Sequence, residues 1–361
     1  MSFSFGSGIR YELYGASHEP YIGIRMTGIP AGESVDAQAL YAFMLRRAPG
    51  RTAYTSRRRE ADVPVFLSGL ENGVTTGGTL DIRIENTDAR PSDYEALRYT
   101  PRPGHADYAV WLKSGGSEDM RGGGRYSGRM TAPLCAAGGI CLQILSRRGV
   151  DICAHISSVG TVSDELFGPM GESAETLARI RASAFPVKDI SAGEKMKTII
   201  EAAVKDGDSV GGTVECMAAG FPAGYGGASL DGIESAVSSI VFSIPAVKGV
   251  EFGAGFGSAK MRGSENNDEY RAVQGEVIPL SNNAGGILGG ISTGLPIVFR
   301  AAFKPTPSIS RPQRSADMRT LTDTVISVPG RHDACIVPRA VPVVEAAAAI
   351  ALLDILEKDN A

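Results

Sequence analysis

The sequence predicts an α+β protein that folds as a single compact domain over residues 1–361. Three observations lead there. β-Branched runs bounded by Gly, Pro or Asn are mixed with longer stretches of helical periodicity. No linker and no short-period repeat interrupts them. The composition, 43% hydrophobic and 21% charged over 361 residues, is enough for a large core.

Residues 22–29 (IGIRMTGI) read as the first strand. Residues 36–47 read as a helix, because Leu40, Phe43 and Met44 fall at helical spacing. Two further strands are predicted at 63–70 (VPVFLSGL) and 79–86 (TLDIRIEN). A helix over 131–148 ends at Gly149, a suitable C-cap. Strands follow at 150–159 and 212–220, and helices at 191–205, 230–242 and 342–358. Pro342 suits the first turn of the last helix, whose Ala and Leu content predicts burial. Glycine-rich segments lie at 121–129 (RGGGRYSGR), 224–229 (GYGGAS) and 282–294 (NNAGGILGGISTG). The stretch from Lys304 to about Asp333, rich in proline and hydroxyls, reads as a long irregular loop, and such loops are often functional.

The net charge of −4 argues against a general nucleic-acid binder, which needs a broad basic surface. No apolar run reaches transmembrane length, and the first ten residues lack a signal pattern. The five cysteines are scattered, with no CxxC pair. Together these predict free thiols in a reducing, cytoplasmic setting with no membrane partner.

Arginine carries the strongest chemical signal. Arg46, Arg47, Arg51, Arg57, Arg58 and Arg59 cluster, while Arg102, Arg121, Arg125, Arg129, Arg262 and Arg331 sit beside glycine or proline or close to them. Guanidinium grips carboxylate and phosphate with two hydrogen bonds at once, so a small polyanionic ligand is expected. His18 and His105 lie in similar turn-and-arginine settings and could exchange protons near neutral pH. His155, in an apolar strand, reads as structural; His332, beside Asp333, fits either role. The glycine-rich loops lack Walker or dinucleotide spacing, although backbone amides in such loops can cradle phosphate. KPTPSIS (304–310) adds a cation and several hydroxyls. No HxH, HExxH or paired-carboxylate pattern suggests a metal, and no GxSxG suggests a serine hydrolase.

Taken in order, GASH (15–18), RRAPG (46–50), TSRRRE (55–60), ENTD (85–88), RPGHADY (102–108), RGGGRYSGR (121–129), GDSVGG (207–212), PAVKGVEFG (245–253), RGSENND (262–268), NNAGGILGGIS (282–292), KPTPSI (304–309) and GRHDACIVPRAVPVVEA (330–346) resemble the chorismate synthase family. The resemblance covers nearly the whole chain. It implies a β-α-β sandwich and a homotetramer. It also implies a reaction, the trans 1,4-elimination of phosphate from 5-enolpyruvylshikimate-3-phosphate, with reduced FMN; Ala53 and the lack of a nicotinamide motif point to an external flavin reductase as its source. His18 then matches the histidine that protonates the leaving phosphate, and His105 the one that protonates the reduced flavin. Asp333 matches the carboxylate that relays the substrate proton. Arg47, Arg102, Arg129 and Arg331 match arginines for the substrate anions or the flavin side. Arg125, Tyr126, Ser127, Pro245, Ala246, Gly289, Lys304, Pro305, Thr306, Pro307 and Ser308 match positions that bind FMN.

The chain departs from the widespread family form in places. Where the family commonly has G-E-S-H-G, this chain has G-A-S-H-E: Ala16 replaces Glu and Glu19 replaces Gly. An inward Glu19 would repel an anionic substrate, whereas an outward one would be mild. Ala53 removes a further arginine, which Arg51 or Arg57 could replace. The alternative reading is a flavin- or anion-binding homologue with impaired catalysis, kept for regulation or assembly.

Overall fold

The computed structural model describes residues 3–50, 60–87, 98–328 and 332–360. Arg51, Ala53, Arg57, Arg58, Arg59 and Arg331 lie outside the described residues.

The first sheet is assembled from β1 (Phe3–Phe5), β2 (Arg10–Gly15), β3 (Tyr21–Thr27), β4 (Val65–Ser68) and, after a small hairpin of β5 (Leu70–Glu71) and β6 (Val74–Thr75), β7 (Leu80–Glu85). Its order is β1-β2-β3-β7-β4, antiparallel throughout. Alternation drives it: Ile22, Ile24 and Met26 on β3 and Leu80, Ile82 and Ile84 on β7 are buried, while Tyr21, Arg25 and Thr27 are exposed. Between these strands comes α1 (Ala37–Arg47), started by the Asp36 side chain, which accepts from the Gln38 and Ala39 amides.

After α2 (Asp107–Ser114) and α3 (Thr131–Arg147), the chain forms β8 (Asp151–Val159), β9 (Val162–Ser163), α4 (Ala174–Ala182), α5 (Ile190–Lys205), β10 (Gly212–Ala219), α6 (Ile233–Ser243) and β11 (Val247–Phe252). A short α7 (Gly263–Asn266) precedes two hairpins, β12 (Tyr270–Val273) with β13 (Glu276–Pro279) and β14 (Ile287–Leu288) with β15 (Ile291–Ser292). Then come β16 (Ile297–Phe303), the hairpin of β17 (Gln313–Asp317) and β18 (Thr322–Ile326), and α8 (Val337–Asp359). The second sheet has the order β11-β16-β10-β8-β9, again antiparallel.

Helices fill the space between the sheets. α3 packs on β3 and β7 of one sheet and on β8 of the other; α8 lies against α3, β8 and β10, with α1 and α6 beside it. This is the β-α-β sandwich that the resemblance implied. α3 and α8 are buried on nearly all sides, so each buried Ile or Leu contributes about 1.5–3 kcal/mol. Small residues set the spacing. A Cβ at Gly138 would collide with Ala346 of α8, and one at Gly139 would come within 2.5 Å of Leu40 of α1. The N-terminal segment is latched to α8 as well: Asp354 accepts from the amides of Ser7 (2.9 Å), Gly8 (2.8 Å) and Ile9 (2.7 Å).

Three expectations needed correction. The last helix begins at Val337, with Pro338 in its first turn and Pro342 inside it. The bond Pro342 cannot donate would have gone to the Pro338 carbonyl, still in the first turn, so the helix runs on. The stretch after Lys304 is not irregular throughout, because it folds into the β17–β18 hairpin. Residues 63–70 are split at Gly69 (φ 81°), leaving only Val65–Ser68 in the first sheet.

Outside the helix layer, the second sheet carries a charged ladder. His155, Glu215, Arg300 and Glu251 stand side by side across β8, β10, β16 and β11. Their contacts run His155–Glu215 (3.0 Å), Arg300–Glu215 (3.2 Å) and Arg300–Glu251 (2.7 Å). Asp164 closes the other side of His155 at 3.0 Å. The structural reading of His155 fits this setting.

Candidate active site

The site is organised by the loop that leads into α3. Gly122, Gly123 and Gly124 all take left-handed φ values (59°, 90° and 53°), a conformation that favours glycine. Their missing side chains are used. A Cβ on Gly122 would collide with the His18 ring, and one on Gly123 would lie 3.2 Å from Cε1 and Nε2 of His105. Two histidines remote in sequence are thus packed against consecutive glycines.

His18 sits after β2, on a turn fixed by its neighbours. The Ser17 amide donates to the Gly124 carbonyl (3.2 Å), and Ser17 Oγ lies 3.0 Å from His18 Nδ1. Asn86 donates to the carbonyls of Ala16 (3.1 Å) and Glu19 (2.7 Å), clamping the turn from below. The Glu19 side chain is exposed, and its φ is not positive, so nothing in this turn requires the family glycine.

His105 closes the turn 102–105, with its amide donating to the Arg102 carbonyl (3.1 Å) and Gly104 at φ 75°. Its Nδ1 is 2.6 Å from Asp107 Oδ1. Arg102 also reaches Asp107 (Nε 2.7 Å, Nη2 2.8 Å) and Ser308 Oγ (3.3 Å). Burial alone would raise the Asp107 carboxyl, but Arg102 and His105 hold it far below the usual carboxylate range.

The segment 304–308 approaches from the second sheet. Lys304 Nζ donates to the Gly104 carbonyl, its amide donates to the Ala246 carbonyl (3.0 Å), and Ser209 Oγ donates to the Thr306 carbonyl (2.7 Å). Partial burial and the nearby Lys248 push the Lys304 amine below its ordinary value. Thr306 Oγ1 is buried without a hydrogen-bond partner. An anion with acceptor oxygens would relieve both conditions, so these residues fit a phosphate-bearing cofactor such as FMN. A cleft of about 560 Å³ opens beside them, lined by Arg102, Gly104, His105 and Tyr108 and, from the β17–β18 hairpin, Arg314 and Asp323.

A compact ionic cluster adjoins the same loop, tied to the His18 turn through Asn86. Buried Arg47 binds Asp62 (2.5 Å), Thr131 Oγ1 (3.1 Å) and the Gly128 carbonyl (3.0 Å). Arg129 binds the other oxygen of Asp62, and also Glu60 (2.9 Å), Asn86 Oδ1 (2.8 Å) and the Glu85 carbonyl (3.1 Å). Asp62 holds a left-handed backbone (φ 50°), and the two arginines keep its carboxyl below the usual range although burial opposes this. Asp333 joins the cluster through Arg339, which binds it at 2.6 Å and donates to the Arg47 carbonyl (3.0 Å). Arg46 does not belong here: it forms a two-point bridge to Glu345 of α8 (2.6 and 3.0 Å).

A family model described as chorismate synthase matches residues 9–356. The chain belongs to the chorismate synthase family. It is 42% identical to the chorismate synthase of Lancefieldella parvula, over 99% of this chain and 96% of that protein. It is 45% identical to the one from Thermococcus gammatolerans, over 99% and 98%. A crystal structure of chorismate synthase superposes with a TM-score of 0.76 at 27% identity, covering 98% of this chain and 93% of the other.

Within this family fold, the contacts link His18, His105, Arg102, Ser127, Ala246 and Lys304 to Ser308 around the glycine loop. Arg47, Arg129 and Asp333 gather in the adjoining ionic cluster. Arg125 and Tyr126 lie within the loop itself, and Pro245 immediately precedes Ala246. Gly289 stands apart, at the β14–β15 turn that packs near Gly227 and Gly232, and none of these contacts joins it to the rest. Sequence reasoning passed over Asp62, Glu60, Asn86, Asp107 and Arg339. Glu60, Asn86, Asp107 and Arg339 were inside quoted motifs, and a carboxylate two residues after His105 was a usable signal. Arg339 lies six residues from its partner Asp333, but its bond to the Arg47 carbonyl spans distant sequence and left no local trace.

Proposed function

We propose that the protein makes chorismate from 5-enolpyruvylshikimate-3-phosphate by trans 1,4-elimination of phosphate, as a carbon–oxygen lyase and a single catalytic domain. The observation that carries this reading is the placement of His18 and His105 on consecutive left-handed glycines of one loop. Arginines and phosphate-ready side chains adjoin that loop. A substrate with a phosphate and two carboxylates needs such a surround.

Reduced FMN would be held by 125–127, Pro245, Ala246 and 304–308, and when bound it supplies the electron density that eases departure of phosphate. The chain's own groups do the rest. The C–O bond to phosphate breaks, and His18 delivers a proton to the departing oxygen. A proton leaves the ring carbon at the other end of the eliminated system, and Asp333 carries it away. Arg47, Arg102, Arg129 and Arg331 hold the carboxylates and phosphate, and His105 maintains the protonation of the flavin side. The same reading implies reduced flavin from an external reductase, a homotetramer and a cytoplasmic setting.

The exposed Glu19 supports an active enzyme over the impaired-homologue alternative, since solvent screens its charge. Anaerobic incubation of the purified protein with substrate, FMN and dithionite should yield chorismate. Well-folded protein that yields none would refute the reading. Asp333→Ala should lower turnover by about 100-fold or more while flavin binding survives.

A further inference from the structure

We propose that Asp107 is a positioning residue of this site, whose one carboxylate sets both the tautomer of His105 and the orientation of Arg102. The inference rests on the function proposed above and adds to it a residue that acts through two others.

The argument begins with a triangle of atoms. Asp107 Oδ1 lies 2.6 Å from His105 Nδ1 and 2.8 Å from Arg102 Nη2, and those two nitrogens are 3.1 Å apart. Arginine nitrogens only donate, so Nη2 cannot accept from the ring. A carboxylate oxygen at 2.6 Å from Nδ1 tolerates only a ring N–H there, since two facing acceptors would repel. Nδ1 therefore carries hydrogen, and Nε2 is the atom that gains and loses a proton. That atom and Cε1 lie equally close to Gly123, whose absent side chain leaves room beside them.

The second oxygen has its own work. Oδ2 accepts from Arg102 Nε (2.7 Å) and from the Arg102 amide (3.0 Å), so the guanidinium and its backbone are fixed together. Ser308 Oγ then takes Nη1 at 3.3 Å. Asp107 and Arg102 are both buried, which strengthens this pairing and keeps water from competing. The turn that brings the three groups together needs Pro103 and left-handed Gly104 between Arg102 and His105. An amide cannot replace the carboxylate. In Asp107→Asn only one side-chain atom accepts. Either His105 or Arg102 would meet an N–H, and the ring would be driven to the other tautomer or the guanidinium released.

The test uses the full-length enzyme labelled with ¹⁵N-histidine. His105 signals are assigned by their loss in His105→Ala. In the parent protein the ring nitrogens should report hydrogen on Nδ1; in Asp107→Asn that signature should be lost. Turnover should fall by about 100-fold or more, with KM changing less. An unchanged His105 signature, or turnover within about threefold of the parent, would overturn the proposal. Should Asp107→Asn not fold, Asp107→Glu keeps the charge one methylene further out. It should retain the Nδ1 hydrogen with turnover reduced by about tenfold, and loss of the signature in that variant would equally overturn the idea. The NMR result is independent of activity. If the parent made no chorismate, the functional reading alone would fall.

Discussion

His105 and His155 begin alike. Each presents Nδ1 to an aspartate, Asp107 at 2.6 Å and Asp164 at 3.0 Å. They differ at the other nitrogen. His155 Nε2 is 3.0 Å from Glu215, and the ring is fully buried against Phe167. His105 Nε2 faces the bare backbone of Gly123. A carboxylate on one side orients an imidazole; carboxylates on both sides lock it as a cation. Burial opposes that cation, but Asp164 and Glu215 outweigh it and raise the His155 pKa. The lesson concerns what is left facing the site: a histidine can do chemistry only through a nitrogen that the fold has not already used.

The comparison can be broken at several points. His155→Ala should have the largest effect on stability, about 3–5 kcal/mol, because it leaves buried Asp164 without its cation and leaves Glu215 with Arg300 alone. Denaturant unfolding would read this, and turnover per folded molecule should stay within about threefold. His105→Ala should do the reverse: turnover down by about 100-fold or more, with an unfolding midpoint close to the parent. If both variants lose activity equally and neither loses stability, the contrast is wrong.

A carboxylate between two arginines sharpens the contrast next. Asp62→Asn leaves Arg47 and Arg129 with one negative charge fewer between them. Stability should fall, and if these arginines serve the substrate its KM should drop by about threefold or more, since the resident anion no longer competes. A raised KM would mean instead that Asp62 aims the arginines. The pH dependence of His155 is a smaller effect with a definite sign. Its folded pKa is raised, so its stabilisation is complete below the unfolded value of about 6.5 and is lost as pH climbs through the folded value. Thermal midpoints of the parent should therefore decline above about pH 6.5 more steeply than those of His155→Gln. The smallest change is expected from Glu19→Gly, less than about threefold in turnover, because Glu19 is exposed and its backbone needs no glycine.

Much of the fold was legible because burial on one face leaves a period in the sequence. β3 and β7 alternate cleanly, and the Asp36 cap with Leu40 and Met44 marks α1. α8 was harder: it is buried nearly all round, so no polar stripe dates its start, and Pro342 was mistaken for the first turn. β16 went unread because Ile297–Phe303 sits between a glycine-rich run and a proline-rich one that drew attention away. The site divided in the same way. His18 and His105 were visible through their turns, whereas the partnership of Arg47 and Arg129 with Asp62 is made by long-range contact and leaves no local trace.

One consequence follows from the position of α8. It packs on β8 and β10, on α3, and on α1 and α6, and it comes after all of them in the chain. On a ribosome, the two sheets would therefore emerge with α1 and α3 present and α8 missing from the layer between them. A nascent chain stalled before Val337 would leave the apolar faces of β8, β10 and α3 that α8 covers exposed, and such a chain is a natural client for chaperones. α8 completes the filling of this sandwich, and the Asp354 latch onto the amides of residues 7–9 closes only once it is in place.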